Sequence, residues 1–598
     1  MVEVDNTDIV EKQMSPLERM RHSAAHVMAE AVLEEFPDAK LGIGPPIESG
    51  FYYDFELPRP LTPEDLPEIE ERMRRSIEQD KPFEKRPVTK AEALELFKGQ
   101  PYKLELIEQF ANGDLSVFQH GDFIDLCRGP HVSSTGDIGP IKLLSNAGAY
   151  WRGSEKNPML QRIYGTAWDT REELEEYLHN LELARERDHR KLGRELELFV
   201  FSPDVGSGIP LFLPKGEALR YQMESYVRET QTYYGYRHVW TGHLVKEELF
   251  RKSGHLPLYE EVQFPPLIGE DATYRLKPMN CPSHMTLFNT QYHSYRDLPV
   301  RYAEFATLYR NEKSGELHGL SRVRAVTQDD CHIFCTEDQI QSEFSRAIEL
   351  ISEVMATYGF TEYYVQLSLH DPETAEKYGG DEGVWSRAEQ MLRDALDALG
   401  VTYVPVLGEA AFYGPKADFM AKDALGREWQ LSTIQIDFIQ PARLGCEYIG
   451  EDGAPHMPVV IHRAVTGATE RFMAMLIEHF GGAFPTWLAP TQVALLPIAE
   501  RHVPYAETVR ERFTRSGIRA ELDDRSERLN LKIREAQLQK VPYMLITGDK
   551  EVETDTVSVR SRSGGDIGSL PVSEFESLIL KEIRTRALTS TLPDPETL

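Results

Sequence analysis

The sequence predicts a multidomain α+β protein, and three observations carry that prediction. The chain has 598 residues, which exceeds what one hydrophobic core usually organises, so about three or four domains are expected. Apolar, β-rich runs alternate with helical patterns through the central part of the chain. A compositional break at Leu488-Ala489-Pro490-Thr491 then introduces a shorter segment with its own alternation of strands and helices.

Composition excludes several classes of protein. Hydrophobic residues make up 41% of the chain, and no uninterrupted apolar run approaches the roughly 20 residues of a membrane span. Acidic side chains stand where a secretory signal would need positive charge, so we expect a cytoplasmic protein. The five cysteines are too scattered for a disulfide framework. The net charge of −31 restricts any RNA contact to a local surface.

The first predicted domain follows an acidic tail of residues 1–14. Ser15-Pro16-Leu17-Glu18 predicts a helix start, because Ser caps, Pro suits the first turn and an acidic group favours the amino end of the dipole. The helix that follows carries His22 and His26. Short strands and helices continue to about Trp168, so we expect an α+β domain over residues 15–169.

A long charged helix is predicted from Thr170 to about Leu196. It opens with a capping box formed by Thr170 and Glu173. Its apolar stripe consists of Leu174, Leu178 and Leu181. This pattern predicts a helical connector over residues 170–196.

Two further domains are predicted after the connector. Residues 197–489 read as a large mixed-sheet domain, with strands at Val300 to Leu308, Arg324 to Thr327 and Trp429 to Phe438. Residues 490–598 read as a compact α/β domain. Its predicted elements are a strand at Gln492 to Pro497, a helix at Tyr505 to Ser516, a strand at Arg519 to Leu522, a helix at Leu529 to Gln539 and a strand at Pro542 to Thr547.

Four side chains of the first domain form a reactive pattern. His22 and His26 are four residues apart, and residues with this spacing share one face of a helix. Cys127 and His131 repeat the spacing in a segment rich in charged residues and turn formers. The four groups could bind zinc, or could hold and activate a water molecule. Taken alone, His22 and His26 are equally consistent with a pair on a helix surface.

Arginines stand on several candidate core elements of the large domain. Arg310 and Glu312 follow an apolar strand. Arg322 and Arg324 come shortly after them, and Arg471 follows a glycine turn. A single Arg on a strand is most often a solvated charge. Several such residues favour the planar, bidentate contact that guanidinium groups make with phosphate.

A third set of residues is suggestive of a metal site only by residue type. Cys281, His332 and His462 are too far apart in the chain to form a recognised short zinc spacing. Cys331 and Cys335 compete as ligands beside His332. The local sequence therefore leaves a metal site at these residues undecided.

The chain also carries long, specific strings that occur together in one enzyme family. These strings are Lys277 to Pro282, Tyr309 to Glu312, Leu317 to Leu320, Thr327 to Phe334, Ala411 to Lys416 and Val541 to Leu545. In them the chain closely resembles the threonyl-tRNA synthetases, which are class II aminoacyl-tRNA synthetases. The similarity runs from about residue 15 to about residue 590.

The resemblance implies a function for each predicted domain. Residues 15–169 match an α+β editing domain, and residues 170–196 match a linker helix. Residues 197–489 match the class II catalytic domain with its antiparallel sheet, and residues 490–598 match an α/β anticodon-binding domain. The implied reaction joins threonine to tRNA(Thr) through threonyl-adenylate, with ATP and Mg²⁺.

The resemblance also implies an ATP site and a substrate pocket. Arg310 is expected on the ATP α-phosphate and the threonine carboxylate, and Glu312 near the adenine. Arg471 is expected at the γ-phosphate and the adenine, with Arg322 as a further phosphate partner. Gln328 and Arg310 belong to the implied catalytic set, together with Arg471 and Lys416. The other residues expected around the substrate and the adenylate are Asp330, Tyr413, Gln430, Thr433 and Gln435.

The family's zinc ligands fall on Cys281, His332 and His462, although spacing alone gave a metal site there little weight. Three protein ligands leave a fourth position open, as in catalytic zinc sites. In this family the threonine amino and β-hydroxyl groups bind the metal. Valine lacks the hydroxyl, so such a site rejects it strongly. We therefore expect one Zn²⁺ in the catalytic domain.

Serine keeps the hydroxyl and lacks only a methyl group, a difference worth about 1 to 3 kcal/mol. The family hydrolyses mischarged seryl-tRNA(Thr) in a separate domain. His22, His26, Cys127 and His131 match that editing site residue by residue. The resemblance implies that they position the seryl ester and a water molecule without a metal, although the sequence would equally permit zinc.

The last domain is expected to contact the anticodon. The basic residues of its helical stretch would supply a local RNA-binding surface, and they are Arg525, Arg528, Lys532, Arg534 and Lys540. Arg562 and Glu553 fall where the family reads anticodon bases. The alternative for each basic side chain is a solvated helix face.

Three features depart from the family pattern. Only about 14 residues precede the editing domain, so the ubiquitin-like domain of many members is expected to be absent. Gly242 stands where the dimer-interface motif has proline, so a homodimer is expected from the family alone. Ala468 stands where a serine is common.

Three alternatives remain to be compared with this interpretation. A non-catalytic RNA-binding regulator would have eroded class II motifs, and a free-standing editing hydrolase would lack the ATP-binding arginines. A related synthetase for serine or proline would not be expected to combine this zinc triad with this editing set.

Overall fold

A computed structural model describes residues 14–62, 64–110, 115–154, 156–258, 260–422 and 427–592. The predicted tail of residues 1–14 lies outside this part of the chain, apart from Met14. The chain divides into two compact units, residues 1–182 and residues 183–598. None of the helices in the described ranges combines the length and apolarity needed to cross a membrane.

The first unit contains an antiparallel sheet covered by two helices. Its helices are α1 (Pro16–Glu35), α2 (Asp65–Glu78), α3 (Lys90–Leu96) and α4 (Pro101–Gln109). Its strands are β1 (Lys40–Leu41), β2 (Pro46–Ile47), β3 (Gly50–Glu56), β4 (Glu84–Pro87), β5 (Ser116–His120), β6 (Phe123–Leu126), β7 (Ile141–Tyr150) and β8 (Met159–Ala167). Strands β1-β3-β8-β7 form the main sheet, and β4-β5-β6 form a second one.

Helix α1 begins as the sequence predicts. The Ser15 hydroxyl accepts a hydrogen bond from the Glu18 amide, and the Glu18 carboxylate accepts one from the Ser15 amide, which completes a capping box. Ala24, Val27 and Met28 of this helix belong to the core of the first unit. Because α1 is buried on most of its surface, it carries polar residues into the interior.

The predicted connector helix is interrupted, so the expectation of one helix over residues 170–196 is wrong. Two helices, α5 (Arg171–Glu186) and α6 (His189–Glu195), replace it. The predicted capping box of Thr170 and Glu173 is present. Asp188 has a non-helical backbone, and its carboxylate accepts the Arg190 amide, so it caps a new helix instead of continuing the first.

The second unit is dominated by an eight-stranded sheet. Its core helices are α7 (Pro214–Tyr233), α8 (Glu247–Ser253), α9 (His255–Leu258), α10 (Cys281–Phe288), α11 (Ile340–Thr357), α12 (Glu382–Ala398), α13 (Gln440–Leu444) and α14 (Thr469–Phe480). Its first strands are β9 (Phe199–Val200), β10 (Leu211–Phe212), β11 (Arg237–His238), β12 (Leu244–Lys246), β13 (Leu267–Ile268), β14 (Thr273–Leu276), β15 (Val300–Tyr309) and β16 (Ala325–Cys335). The remaining ones are β17 (Tyr363–Leu369), β18 (Tyr403–Leu407), β19 (Lys416–Lys422), β20 (Glu428–Asp437), β21 (Tyr448–Ile449), β22 (Pro455–His456) and β23 (Val459–Ala464).

The large sheet has the order β11-β15-β16-β23-β20-β19-β17-β18. Its central pairs are antiparallel, and only the two edge strands, β11 and β18, pair in parallel. One face of the sheet packs on an apolar layer that includes Phe344 and Leu350 of α11 and Phe472 of α14. Because side chains alternate between the two faces of a strand, the opposite face is left for polar groups.

The C-terminal part of the second unit contains a separate five-stranded sheet. Its strands are β24 (Val493–Pro497), β25 (Ala520–Leu522), β26 (Tyr543–Thr547), β27 (Thr556–Ser561) and β28 (Gly565–Pro571), in the order β25-β24-β26-β27-β28. Its helices are α15 (Val503–Arg515), α16 (Leu529–Leu538), α17 (Asp549–Thr554) and α18 (Val572–Thr585). The three strands and two helices predicted between residues 492 and 547 are all confirmed.

Candidate active sites

The register of the large sheet aligns residues that are far apart in the chain. His332 of β16 is the direct partner of His462 in β23, and His462 is in turn the partner of Gln435 in β20. Gln435 pairs with Lys416 of β19. Directly opposed residues project from the same face of an antiparallel pair. Four predicted site residues therefore form one row across the polar face of the sheet.

Cys281 joins this row from the first turn of α10. One ligand atom each from Cys281, His332 and His462 lies within 4.8 Å of the others. The Nε2 atom of His332 is buried and has no hydrogen-bond partner. A thiol and two imidazoles are the donor types that zinc prefers. The three residues therefore fit a zinc ion, and the orphaned ring nitrogen identifies a position where a ligand atom is expected.

Cys331 and Cys335 are excluded as alternative ligands by the pleat of β16. They flank His332 in sequence, but odd-numbered residues of this strand face the apolar layer, where both cysteines lie with Ile333. The Cys331 sulfur accepts a hydrogen bond of 2.7 Å from Arg463 on the same side of the sheet. The strand geometry thus settles a choice that sequence spacing left open.

A buried carboxylate orients each of the two imidazoles. Asp437 lies 2.8 Å from Nε2 of His462, so this nitrogen carries the proton and Nδ1 is left as a ligand atom. Nδ1 of His332 lies 2.8 Å from Nδ1 of His284, and Nε2 of His284 lies 3.0 Å from the Glu304 carboxylate. Nε2 of His284 also lies 2.8 Å from Nδ2 of Asn280. When Nε2 of His284 carries the proton and donates it to the Glu304 carboxylate, Nδ1 of His284 accepts from His332. This arrangement leaves the lone pair of His332 on the orphaned Nε2.

The electrostatics of the site also favour a cation. Burial raises the pKa of the Cys281 thiol, and the neighbouring carboxyl groups of Asp330 and Asp437 raise it further. The thiolate is therefore unfavourable without a positive partner. A metal ion would supply that charge and deprotonate the sulfur.

A buried aspartate organises the residues predicted around the adenylate. The Asp418 carboxylate accepts hydrogen bonds from Lys416 at 2.8 Å, Gln430 at 2.7 Å and Thr433 at 2.8 Å. The Tyr413 hydroxyl donates to the Gln435 side chain at 2.7 Å. The structure therefore brings these five predicted residues together, although the sequence analysis did not single out Asp418.

Tyr413 and Asp330 also lie beside the metal-ligand group, and Gln328 lies farther along the same face of β16. The Tyr413 ring stacks on the His462 ring with centroids 4.8 Å apart. Asp330 and Gln328 precede His332 by two and four residues on the same strand, so they share its face. Gln328 also forms an isolated β-bridge with Ala468, which precedes α14. The predicted substrate residues thus surround one side of the row.

Three of the predicted arginines converge beyond the end of β15. The pKa of Arg471 is lowered by desolvation and then by repulsion from Arg310 and Arg322. Arg322 pairs with Glu312 and Glu316, whereas Nε of Arg310 is buried without a hydrogen-bond partner. Positive charges held close together with a free donor form an anion-binding site.

The first unit contains a second cluster of reactive groups. His22, His26, Cys127 and His131 offer one ligand atom each within 4.8 Å of the others. His22 is 8% exposed and His26 is 3% exposed, so a pair on a helix surface is excluded. The Cys127 sulfur lies 3.4 Å from Nε2 of His22 and 3.3 Å from Nε2 of His131.

The ring protons of this cluster point outward. Nδ1 of His22 contacts the Pro130 carbonyl at 3.1 Å, Nδ1 of His26 contacts Asp125 at 3.2 Å, and Nδ1 of His131 contacts the Ser23 hydroxyl at 3.1 Å. The His22 and His26 contacts are with acceptors, and the Ser23 hydroxyl already donates to the Arg19 carbonyl. All three Nε2 lone pairs are therefore available inside the cluster.

Burial keeps the cluster uncharged. It lowers the pKa of His22 to about 4, and it lowers those of His26 and His131 well below the usual range. It also raises the pKa of the Cys127 thiol to about 12. At neutral pH the cluster offers proton acceptors and one thiol, without a net charge of its own.

Asp125 is held by a buried polar network. Lys103 lies 2.6 Å from its carboxylate, and the Tyr53 hydroxyl donates to the same group at 2.6 Å. The Lys103 ammonium also contacts the Tyr53 hydroxyl at 2.9 Å. This network fixes the carboxylate that orients His26.

The residues predicted to contact the anticodon differ in exposure: Lys540 and Arg562 are half-buried, and the exposed ones are Arg525, Arg528, Arg534 and Glu553. Lys532 is buried, and its ammonium donates to the carbonyls of Pro497 and Asp523, so the prediction that it contributes to a basic surface is wrong. Arg525 is paired with Asp523 and Glu535. The Arg562 guanidinium donates to the backbone carbonyls of Lys540, Ala483 and Phe484, and its role at the anticodon stays a prediction.

Several positioning residues were missed by the sequence analysis, although some had a signal. His284 follows Cys281 by three residues on α10, which places both on one helix face. Asp437 follows Gln435 by two residues on β20, which places both on one face of the strand. Lys103 and Tyr53 had no comparable signal, because their contact with Asp125 spans distant elements.

Comparisons with known proteins identify the domains of the chain. Residues 267–480 match the family model of the class II tRNA synthetase core domain for G, H, P, S and T, and residues 492–582 match an anticodon-binding domain. Residues 115–164 match the second additional domain of threonyl and alanyl tRNA synthetases. The fold and the three matched domains define a class II aminoacyl-tRNA synthetase.

Relatives that match most of the chain show which family within this class it belongs to. A threonine–tRNA ligase from Rubrobacter xylanophilus is 62% identical over 91% of this chain and 85% of its own length. One from Thermus thermophilus is 50% identical over 95% of this chain and 89% of its own length. The chain belongs to the threonine–tRNA ligase family. Proteins of this class take tRNA, ATP and an amino acid as partners.

A solved structure shares the architecture. It is described as the RNA-binding domain of threonyl-tRNA synthetase from Cryptosporidium parvum, and it is 38% identical to this chain. The alignment covers 68% of this chain and all of that one, with a TM-score of 0.63.

Substitution of His284 tests the carboxylate–imidazole chain at the metal-ligand group. We predict that the parent protein binds Zn²⁺ and that His284→Leu weakens binding by about 10- to 100-fold, because His332 loses the partner that fixes its lone pair. Competition with a chromophoric chelator measures the affinity. His293→Leu is a matched control, because His293 is also buried but donates to the Phe288 carbonyl. Equal affinities for the parent and His284→Leu would contradict the prediction.

Proposed function

We propose that this chain activates threonine with ATP and transfers the threonyl group to tRNA(Thr). The observation that carries the proposal is the group of Cys281, His332 and His462, with an orphaned ring nitrogen, on the sheet face that also carries Gln435 and Lys416. An amino-acid pocket with a metal position beside a phosphate-binding arginine cluster suits an enzyme that forms an aminoacyl-adenylate.

The arginines account for the first chemical step. The threonine carboxylate oxygen forms a bond to the ATP α-phosphorus, and the bond to pyrophosphate breaks. Arg310 would contact the α-phosphate and the attacking carboxylate, while Arg471 and Arg322 would hold the departing phosphates. Guanidinium groups aimed at the phosphates stabilise the charge that develops there, and their fixed positions align the two reactants. ATP is used with Mg²⁺ in this family.

The transfer step consumes the adenylate. A ribose hydroxyl at the 3′ end of tRNA(Thr) forms an ester bond with the threonyl carbonyl carbon, the bond to AMP breaks, and the hydroxyl proton is released. Lys416, Gln430 and Thr433, which meet at Asp418, would contact the adenylate. Gln328 would help to position the reacting groups. Holding these donors in place before the reaction lowers its entropic cost.

The metal-ligand residues account for amino-acid selection. A Zn²⁺ ion held by Cys281, His332 and His462 would supply Lewis-acidic coordination for the amino and β-hydroxyl groups of threonine. Asp330 and Tyr413, which lie beside the ligands, would contact the same end of the substrate. A pocket built for a hydroxyl group rejects valine by a large factor, whereas serine retains the hydroxyl and differs by only about 1 to 3 kcal/mol.

Loss of the thiol tests amino-acid activation. We expect Cys281→Ala to lose bound Zn²⁺ and threonine-dependent ATP–pyrophosphate exchange, because two imidazoles alone hold the metal poorly. Zinc content and exchange are measured on the same sample. Cys335→Ala is the matched control, since Cys335 is equally buried but faces the apolar layer. Retention of exchange in Cys281→Ala would refute the assignment.

The buried cluster of the first unit suits hydrolysis of a mischarged aminoacyl-tRNA ester. We propose that His22, His26, Cys127 and His131 position seryl-tRNA(Thr) and an attacking water molecule. Their inward Nε2 lone pairs would accept a proton from the attacking water, which is passed on to the departing ribose oxygen, and Asp125 would stabilise charge on His26. Hydrolysis adds water across the ester, which releases serine and free tRNA. The low pKa values of the imidazoles keep their acceptor nitrogens free at neutral pH.

Substitution of His22 separates editing from activation. We expect His22→Ala to leave threonine-dependent exchange unchanged and to let seryl-tRNA(Thr) accumulate, because one of the inward acceptors is lost. Seryl-tRNA is measured by charging with labelled serine. His179→Ala, an exposed histidine on α5, serves as the control. Normal clearance of seryl-tRNA by the His22 variant would overturn the editing role.

An exposed apolar surface supports the homodimer expected of the family. Trp240 is 75% exposed, and Ile268 is 90% exposed on the small sheet β12-β14-β13, which also exposes Leu244 and Leu267. Apolar patches of this kind mark protein interfaces. We propose that a second copy of the chain covers them.

Sedimentation is expected to give a dimer, and Ile268→Glu is expected to shift the equilibrium toward monomer. A parent chain that sediments as a monomer would refute the proposal.

A further inference from the structure

His189 is not among the predicted site residues, yet both of its ring nitrogens have a defined partner. It begins α6 in the interrupted connector and is 1% exposed. Nδ1 lies 2.6 Å from the Glu478 carboxylate on α14, which also accepts the backbone amide of His189 at 3.0 Å. Nε2 lies 3.0 Å from the backbone nitrogen of Leu320.

These partners determine where the ring proton is. A carboxylate accepts and an amide N–H donates, so Nδ1 carries the proton and Nε2 offers its lone pair to Leu320. Asp188, His189 and Glu478 also come close enough to resemble a metal-ligand group. Both ring nitrogens are already used, however, so no lone pair of His189 is left for a metal. The cluster is a built hydrogen-bond relay between three segments.

The Leu320 amide belongs to a tight turn that leads directly to a predicted phosphate partner. His318 and Arg322 pair through their backbones, so residues 318–322 form a small hairpin. The Ser321 carbonyl, one residue beyond Leu320, accepts a hydrogen bond of 3.2 Å from Arg471. His189 and Arg471 therefore hold adjacent residues of this hairpin from different sides.

The approach of the hairpin to His189 is close. Gly319 has a φ of +48°, and a Cβ atom at this position would lie 2.1 Å from Nε2 of His189. Only glycine therefore fits at the hairpin while the imidazole keeps its contact. Glu478 is held in addition by Arg427, which fixes the acceptor on α14.

We infer that His189 is a positioning residue for the ATP site: it fixes the hairpin of residues 318–322, and with it Arg322, through the Leu320 amide. This inference rests on the proposed role of Arg322 at the ATP phosphates. His189 acts through the backbone and does not touch a reactant. Its function is to hold the guanidinium in place before ATP binds, so that binding does not have to order the turn.

Two isosteric substitutions divide the functions of the imidazole. His189→Asn places an amide nitrogen near the position of Nδ1, so it keeps the bond to Glu478 and loses the acceptor for Leu320. His189→Gln extends to the position of Nε2, so it keeps an acceptor for Leu320 and loses the donor to Glu478. If His189 only anchors α6 to α14 through Glu478, His189→Gln should have the larger effect on the KM for ATP. The positioning role predicts the larger effect for Asn.

The test is threonine-dependent ATP–pyrophosphate exchange by the full chain. We expect His189→Asn to raise the KM for ATP roughly tenfold, as the loss of one buried hydrogen bond would. The KM for threonine should stay unchanged, and His189→Gln should remain within about twofold of the parent in both constants. Gly319→Ala disturbs the contact from the other side and should reproduce the Asn effect. It decides the question if His189→Asn does not fold.

Three results would overturn the inference. The first is a KM for ATP equal to that of the parent in both His189→Asn and Gly319→Ala. The second is an equal change in the KM for ATP in His189→Asn and His189→Gln. The third is a rise in the KM for threonine that parallels the rise in the KM for ATP. Equilibrium binding of Mg·ATP to the same chains measures the hairpin's contribution without turnover. A parent chain that binds ATP but shows no threonine-dependent ATP–pyrophosphate exchange would count against the proposed function. The ratio of the ATP affinities of the parent and the His189 variants would still decide the role of His189.

Discussion

The register of β16, β23, β20 and β19 is the constraint on which the catalytic unit depends. Backbone hydrogen bonds between these antiparallel strands place His332, His462, Gln435 and Lys416 in one transverse row. A shift of one residue in any pair would turn that strand's polar side chains into the apolar layer beneath the sheet. The hydrophobic packing on one face therefore determines the composition of the site on the other.

Within this frame, the position of protons is controlled by buried acceptors. Asp437 and the Glu304–His284 pair leave lone pairs on His462 and His332. In the first unit, Asp125 does the same for His26. Burial lowers the pKa values of His332 in one site and of His22, His26 and His131 in the other, because desolvation disfavours the cation. The same physical device thus prepares one site for a metal ligand set and the other for proton acceptance.

Much of the architecture was predictable, because local patterns carry it. The capping box at Ser15 and the strands and helices between residues 492 and 547 follow from residue type and periodicity, which act over a few residues. The connector was the exception. Its charge pattern continues through residue 188, and only the cap at Asp188 and the contact of His189 with Glu478 interrupt the helix. The latter contact joins residues that are 289 positions apart.

The sequence by itself determined the types of group available and the family whose motifs they match, including one thiol and two imidazoles for a metal. The resemblance already pointed to Cys281, and the tertiary structure brings its sulfur beside His332 and turns Cys331 and Cys335 into the core. The tertiary structure alone decided that Lys532 is buried and that Nε2 of His332 has no hydrogen-bond partner. The reason is that strand register, burial and proton position depend on contacts between residues remote in the chain, and no local pattern specifies those contacts.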